Sequence, residues 1–215
     1  EVTAWIVEIT SLQGELTRHW TGASDCVDIT WDGRNESGIR VPDGTYSLTY
    51  TREGQGDMTE NFLSVIEINT VAPDLQLPSD QIVEATDINT IVDPGQATAR
   101  DVFGNLLLPQ SSPAGPFPLG THEITWVVED RFGNSTSSVQ TITVVDTQAP
   151  VFGQAVSILE FADEPLALDL EPPVVTDVFP VTISNDAPSL FPPGTTLVTW
   201  QAIDPSGNTS HVQQL

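Results

Sequence analysis

At 215 residues the chain can hold one large or several small domains, and no apolar run approaches the roughly 20 residues needed to cross a bilayer. Thirty acidic residues against six arginines and no lysine give a net charge of −24, which repels nucleic-acid phosphates and anionic lipid surfaces and excludes both as expected partners. With 17 prolines, 15 glycines and no long stretch of helical spacing, the chain is expected to be all-β.

In chain order, Trp5, Val7 and Ile9 alternate with polar neighbours, and Leu12-Gln13-Gly14-Glu15-Leu16 turns into a second strand ending near Trp20. Val27, Ile29 and Trp31 predict a further strand running into Asp32-Gly33-Arg34-Asn35, with Asp32 and Asp43 read as turn residues. Gly54 to Asp57 reads as a polar loop tip. Tyr46, Leu48 and Tyr50 share a strand face, and Phe62, Val65, Ile66 and Ile68 close the first module. Cys26, the only cysteine, allows no intramolecular disulfide and reads as a buried small hydrophobe.

Asn69-Thr70-Val71-Ala72-Pro73 and Asp146-Thr147-Gln148-Ala149-Pro150 are two copies of a short proline linker. Between and after them one stretch is written twice. Gly120, Trp126, Asp130, Gly133 and Asn134 each recur 74 residues later as Gly194, Trp200, Asp204, Gly207 and Asn208. Ile124, Trp126 and Val128, like Val198, Trp200 and Ala202, have the two-residue period of a strand with one buried face. The following Asp-x-x-Gly-Asn turns the chain back. The expected architecture is three tandem Ig-like β-sandwich modules at 1–70, 71–146 and 147–215, with Trp5, Trp31, Trp126 and Trp200 as core anchors. Aligned on the repeat, Leu215 matches Thr141. Two readings of that edge stand: a segment of a longer repeat protein, or an edge completed by another subunit's strand, with Val2 to Ile9 as donor and a head-to-tail filament as the outcome.

The order of Trp31-Asp32-Gly33-Arg34-Asn35 and Val41-Pro42-Asp43-Gly44-Thr45-Tyr46 resembles the Ig-like domain of flagellar hook-capping proteins. The run Ile82-Val83-Glu84-Ala85, Asp101-Val102-Phe103-Gly104-Asn105, Phe117-Pro118-Leu119-Gly120-Thr121 and Asp130-Arg131-Phe132-Gly133-Asn134 resembles a hyaline repeat, or HYR module. Residues 147–215 form a looser copy, in which Pro180 replaces the Gly-Asn of Asp101 to Asn105. The resemblance implies an extracellular, immunoglobulin-like fold associated with adhesion. Where animal HYR modules carry a cysteine pair this chain has none, and that absence points to a bacterial or archaeal surface protein.

No catalytic constellation is present: His19, His122 and His211 fall in different modules, and no nucleophile or zinc motif surrounds them. The acidic residues Asp101, Asp130, Asp146 and Asp204 have two readings, turn formation or a calcium site at the module junctions, because calcium takes six to eight oxygen ligands. Asn35, Asn134 and Asn208 fit the N-x-S/T acceptor pattern. The expected function is non-catalytic: a secreted or cell-surface stalk, filament or adhesin shaft whose partners are neighbouring modules or subunits of the same protein. The alternative is an accessory carbohydrate- or protein-binding module of a secreted bacterial hydrolase, using exposed aromatics such as Trp20 and Phe132.

Overall fold

A computed structural model describes residues 2–23, 28–54 and 59–215. The described residues contain no helix and form tandem β-sandwich modules. The first sheet holds β1 (Val2–Ser11), β2 (Leu16–Gly22), β3 (Gly44–Gly54) and β4 (Thr59–Ile68) in the order β2-β1-β3-β4, with every neighbouring pair antiparallel. The alternation of β1 places Val7 and Ile9 inward. Ile9, Val41 and Tyr46 form the buried cluster, with Trp20, Trp31, Leu48, Ile66 and Ile68 packed against it. Trp31 meets Tyr46 edge-on at 5.7 Å between ring centroids. Gly22 lies under the Trp5 indole, which any Cβ there would strike.

Three expectations change in this region. The strand expected at Val27, Ile29 and Trp31 does not form over residues 28–31. Trp31 instead spends its indole N–H on the Arg34 carbonyl at 2.8 Å, and Arg34 N donates to Asp32 Oδ1 at 3.1 Å, so this stretch belongs to the Asp32-Gly33 turn. Asp43 ties down the linker, accepting from Thr70 N at 2.8 Å and from Thr70 Oγ1. The strand Val2 to Ile9 cannot act as a donor to another subunit, because β1 is paired on one side by β2 and on the other by β3. Cys26, Val27 and the tip of the expected loop at 55–57 lie outside the described residues.

Further along, β5 (Asp74–Gln76), β7 (Thr98–Arg100) and β8 (Leu106–Leu107) form one small sheet in the order β5-β7-β8. A second sheet has the order β6-β11-β10-β9, from β6 (Gln81–Glu84), β9 (Gln110–Ser112), β10 (Gly120–Glu129) and β11 (Ser135–Val145). There β6 runs parallel to the end of β11, Gln81 opposite Ile142 and Glu84 opposite Val145. In the last stretch β12 (Val151–Phe152) pairs with β13 (Val175–Thr176), and β14 (Thr182–Asn185), β15 (Val198–Ile203) and β16 (Thr209–Gln214) form an antiparallel sheet in that order. Ile124, Trp126 and Val128 on β10 are buried, as are Val198, Trp200 and Ala202 on β15. Trp5 and Trp31 are half-buried.

The chain divides into two compact units. One comprises Glu1–Gln76, Ala97–Gln110 and Val127–Ser138, the other Leu77–Gln96, Ser111–Trp126 and Val139–Leu215.

Candidate metal centre

The Asp-x-x-Gly-Asn turn explains most of the singled-out carboxylates. Asp130 Oδ1 accepts from Phe132 N (2.8 Å) and Asn134 N (2.9 Å), while Asp130 Oδ2 accepts from Asn134 Nδ2 (2.9 Å). Asp204 takes Asn208 N at 2.9 Å and Asn208 Nδ2 at 2.8 Å, and Asp101 takes Asn105 N and Asn105 Nδ2, both at 2.8 Å. Gly104, Gly133 and Gly207 supply the positive φ that closes each turn. The Asn105 amide is the main reason Asp101 titrates below the ordinary carboxylate value. For Asp130 and Asp204 burial pushes upward, but hydrogen bonds led by those from Asn134 and Asn208 outweigh it, and both also titrate low.

The two linkers dock on these turns in chemically different ways. At the first, Asn69 Nδ2 donates to Asp130 Oδ2 at 2.7 Å in a buried contact, Asn69 Oδ1 accepts from Val71 N at 2.9 Å, and Asn134 Nδ2 reaches Asn69 O at 3.2 Å. Thr136 Oγ1 adds a 2.6 Å bond to Pro73 O, and Arg131 pairs with Glu67. An amide thus sits against the turn carboxylate and gives it a donor.

At the second linker the residue in Asn69's place is Asp146. Its carbonyl accepts from Asn208 Nδ2 at 3.1 Å, repeating the first linker, but its side chain is a carboxylate. Asp146, Asp177 and Asp204 each offer an oxygen, all within 4.8 Å of one another. Asp177 Oδ1 accepts from Phe179 N at 2.8 Å, and Pro180 removes the Gly-Asn that would have brought a side-chain amide like Asn105 to the other oxygen. Ser206 Oγ donates to Asp146 Oδ2 at 2.9 Å. Thr147 binds Glu84 through both N and Oγ1, at 2.8 and 2.9 Å. Three carboxylates with oxygens within 4.8 Å of one another repel unless a cation or protons intervene. Hard oxygen donors of this kind suit calcium or magnesium over soft metals.

Of the four carboxylates singled out from the sequence, Asp146 and Asp204 come together here with a fifth, Asp177, which occupies in the looser copy the place of Asp101. Asp101 and Asp130 serve the turns at the first linker. Asn134 and Asn208 each use their Nδ2 on a carboxylate and a linker carbonyl, so a glycan on either amide nitrogen would break the linker contact. Asn35, whose Oδ1 accepts from Ser37 N and Ile39 N, keeps its amide nitrogen clear of such a role. Trp20 packs on the first core with the Arg18 guanidinium 5.7 Å over its ring, and Phe132 lies 6.0 Å from Phe103 with Arg131 above it. Trp20 is half-buried and Phe132 stays 36% exposed.

Residues 69–144 match the family model described as HYR domain. The chain is 30% identical over 196 residues to hyalin of Strongylocentrotus purpuratus, covering 81% of this chain and 16% of that protein. It is 32% identical over 171 residues to hyalin of Lytechinus variegatus, covering 72% of this chain and 32% of that protein. The chain therefore spans less than a third of each of these curated relatives. A four-domain crystal structure of Drosophila N-cadherin is similar at 14% identity and a TM-score of 0.33, covering 97% of this chain and 65% of that one. These relatives are animal proteins, which overturns the expected bacterial or archaeal origin. That expectation rested on missing cysteine pairs, and the buried Trp126–Gln140 and Trp200–Gln214 contacts join β10 to β11 and β15 to β16 without one. The hydrolase-accessory alternative gains no support from the matches. The secreted or cell-surface placement stands, and no described helix is long and apolar enough to cross a membrane. The stretch at 69–144 is thus similar to an HYR domain.

Proposed function

We propose that the chain is a stretch of an extracellular adhesive or structural array, whose second linker is set by calcium held between Asp146, Asp177 and Asp204. The modules are those at 1–70, 71–146 and 147–215, the first resembling the hook-capping Ig-like domain and the third HYR-like. Their partners are neighbouring modules or subunits of the same protein. The observation that carries this reading is the contrast between equivalent linkers: Asn69 gives its turn carboxylate a hydrogen-bond donor, whereas Asp146 brings a third carboxylate to Asp177 and Asp204. A cation joining a linker residue to a turn restricts the angle between modules, which is what an array that bears load or presents a surface needs.

Calcium titration by calorimetry, with chelator-treated protein as reference, tests the site. A ligand at 100 times its dissociation constant stabilises the folded chain by about 2.7 kcal/mol. A rise in melting temperature with calcium that disappears in Asp146→Asn supports the reading. Equal melting curves in calcium and chelator would remove calcium from it.

A further inference from the structure

The N-x-S/T patterns at Asn35, Asn134 and Asn208 look alike as sequence and come apart in the fold. Glycosylation at such a pattern uses the asparagine Nδ2 as the atom that takes the sugar and the hydroxyl two residues on as the mark that a transferase reads. At Asn134 both groups are committed. Its Nδ2 donates to Asp130 Oδ2 at 2.9 Å and to Asn69 O at 3.2 Å, which uses both hydrogens, and Thr136 Oγ1 donates to Pro73 O at 2.6 Å. Asn208 Nδ2 is spent in the same way, on Asp204 Oδ2 at 2.8 Å and Asp146 O at 3.1 Å, and Ser210 Oγ is buried with no partner among the described residues. A sugar on either nitrogen replaces one of its hydrogens, so an acceptor in the turn or the linker goes unpaired.

The pattern at Asn35 is arranged the other way round. Asn35 N donates to Ile39 O and Gly38 N to Asn35 O, both at 2.9 Å, and an isolated bridge joins Arg34 to Arg40 at the base of this loop. Inside it, Asn35 Oδ1 accepts from Ser37 N at 3.1 Å and from Ile39 N at 2.9 Å. Two N–H donors on one atom identify that atom as the oxygen, so the amide stands one way only and Nδ2 points away from them. Among the described residues neither Asn35 Nδ2 nor the Ser37 hydroxyl has a hydrogen-bond partner, and Glu36, Ser37, Gly38 and Ile39 are exposed. Glu36 is drawn aside: its carboxylate accepts from His19 N at 2.7 Å and lies 2.8 Å from His19 Nδ1, while Arg18 Nη1 donates to Asn35 O at 2.9 Å. These bonds fasten the loop to β2. Asn35 also lines an open cleft of about 580 Å³ beside Leu12, Leu16 and Ile39, which leaves room for a sugar.

We infer that Asn35 is the N-glycan acceptor of this chain, and that Asn134 and Asn208 stay bare because their amides hold the linkers. The co-reactant is an oligosaccharide activated as a lipid pyrophosphate. Asn35 Nδ2 bonds to the anomeric carbon of that sugar, the bond from the same carbon to the pyrophosphate oxygen breaks, the lipid pyrophosphate leaves, and the amide gives one proton to the transferase. The linkage spares Oδ1, so both of its bonds inside the loop survive. The contacts that sort the amides are local: Asn35 Oδ1 reaches Ile39 N, and Asp130 Oδ1 reaches Asn134 N, four residues along the chain. Each turn therefore decides the fate of its own asparagine without help from the sheets. The inference adds a covalent group to an extracellular chain and does not depend on calcium at the second linker.

The test secretes the 215-residue chain from animal cells behind a cleavable signal sequence. Glycans are removed from the secreted protein by peptide N-glycosidase in heavy-oxygen water, which turns each occupied asparagine into a labelled aspartate, and the peptides carrying Asn35, Asn134 and Asn208 are weighed. The expected result is label at Asn35 and none at Asn134 or Asn208. Ser37→Ala removes the label, yet, made in bacteria, melts at the same temperature as the unglycosylated parent, because the Ser37 side chain makes no bond in the loop. Loss of the glycan in that variant is then loss of the acceptor pattern and not of the fold. No label at Asn35, label at Asn134 or Asn208 in the folded secreted protein, or label kept in Ser37→Ala overturns the inference. Calcium binding at the second linker is measured separately, so failure here leaves the array reading untouched.

Discussion

Gln140 is fully buried, and all of its side-chain polar atoms are used: the carbonyl takes the Trp126 indole N–H at 3.0 Å, and the amide reaches Ser79 O at 2.9 Å and Pro94 O at 3.0 Å. This one side chain ties β11 to β10 and to two loops. A buried polar group left without its partner costs about 1 to 3 kcal/mol. Gln140→Ala orphans an indole N–H and two carbonyls and leaves a cavity, so it destabilises by about 3 kcal/mol or more. Trp126→Ala removes the partner and the larger apolar volume, at about 3 to 5 kcal/mol. Because the two share one contact, the double variant falls short of the sum of the singles. Chemical denaturation of the four proteins measures this directly. Additive losses would mean that the hydrogen bond contributes nothing beyond packing.

At the scale of elements, the two linkers make a natural exchange experiment. Asn69→Asp removes the donor to Asp130 and sets carboxylates together, so it lowers the melting temperature by roughly 5 °C in chelator and regains part of that in calcium. Asp146→Asn does the opposite at the second linker, raising the melting temperature in chelator and abolishing the calcium response. Differential scanning calorimetry of both variants with and without calcium reads all four outcomes, and a calcium response retained in Asp146→Asn would place the ion elsewhere. The strands behind this contrast were legible in the sequence. Trp5, Val7 and Ile9, and the twin Trp126 and Trp200 strands, alternate with period two because one face packs inward and the other meets water. The Asp-x-x-Gly-Asn turns were legible because Gly and the Asx side chain impose local geometry. Asp177 was not singled out as a ligand, since Pro180 erases the Gly-Asn signature and only the returning chain brings it to Asp146. Asp43 was read as a turn former, and its bond to Thr70 depends on the β3–β4 pairing that places the linker beside it. Residues 28–31 form no strand, and Trp31 there packs its ring against Tyr46 while its indole N–H binds the Arg34 carbonyl of the following turn.

For the whole molecule, 30 acidic residues without a lysine set two opposing responses to acid. Protonating surface carboxylates reduces the self-repulsion of a chain at −24, which favours the folded state as pH falls from neutral. Asp101, Asp130 and Asp204 act in the other direction. Their folded-state pKa values lie below the unfolded value of about 3.9. The stability they contribute is therefore fully present above that value and is lost as pH falls through the folded pKa values. The first effect dominates while the turns stay ionised and the second takes over when they protonate. In chelator, the melting temperature holds or rises from pH 7 to about 5 and then drops below about pH 4. Added salt screens the repulsion, so it raises the neutral end of this curve more than the acidic end. Asp204→Asn, which keeps the shape of the side chain and cannot be protonated, lowers the plateau and makes the acid limb shallower. Thermal melts from pH 7 to 3 at two salt concentrations decide the matter. A melting temperature still climbing at pH 3 would show that relief of repulsion outweighs the turn carboxylates throughout, and that the Asp-x-x-Gly-Asn bonds add little to holding the modules folded.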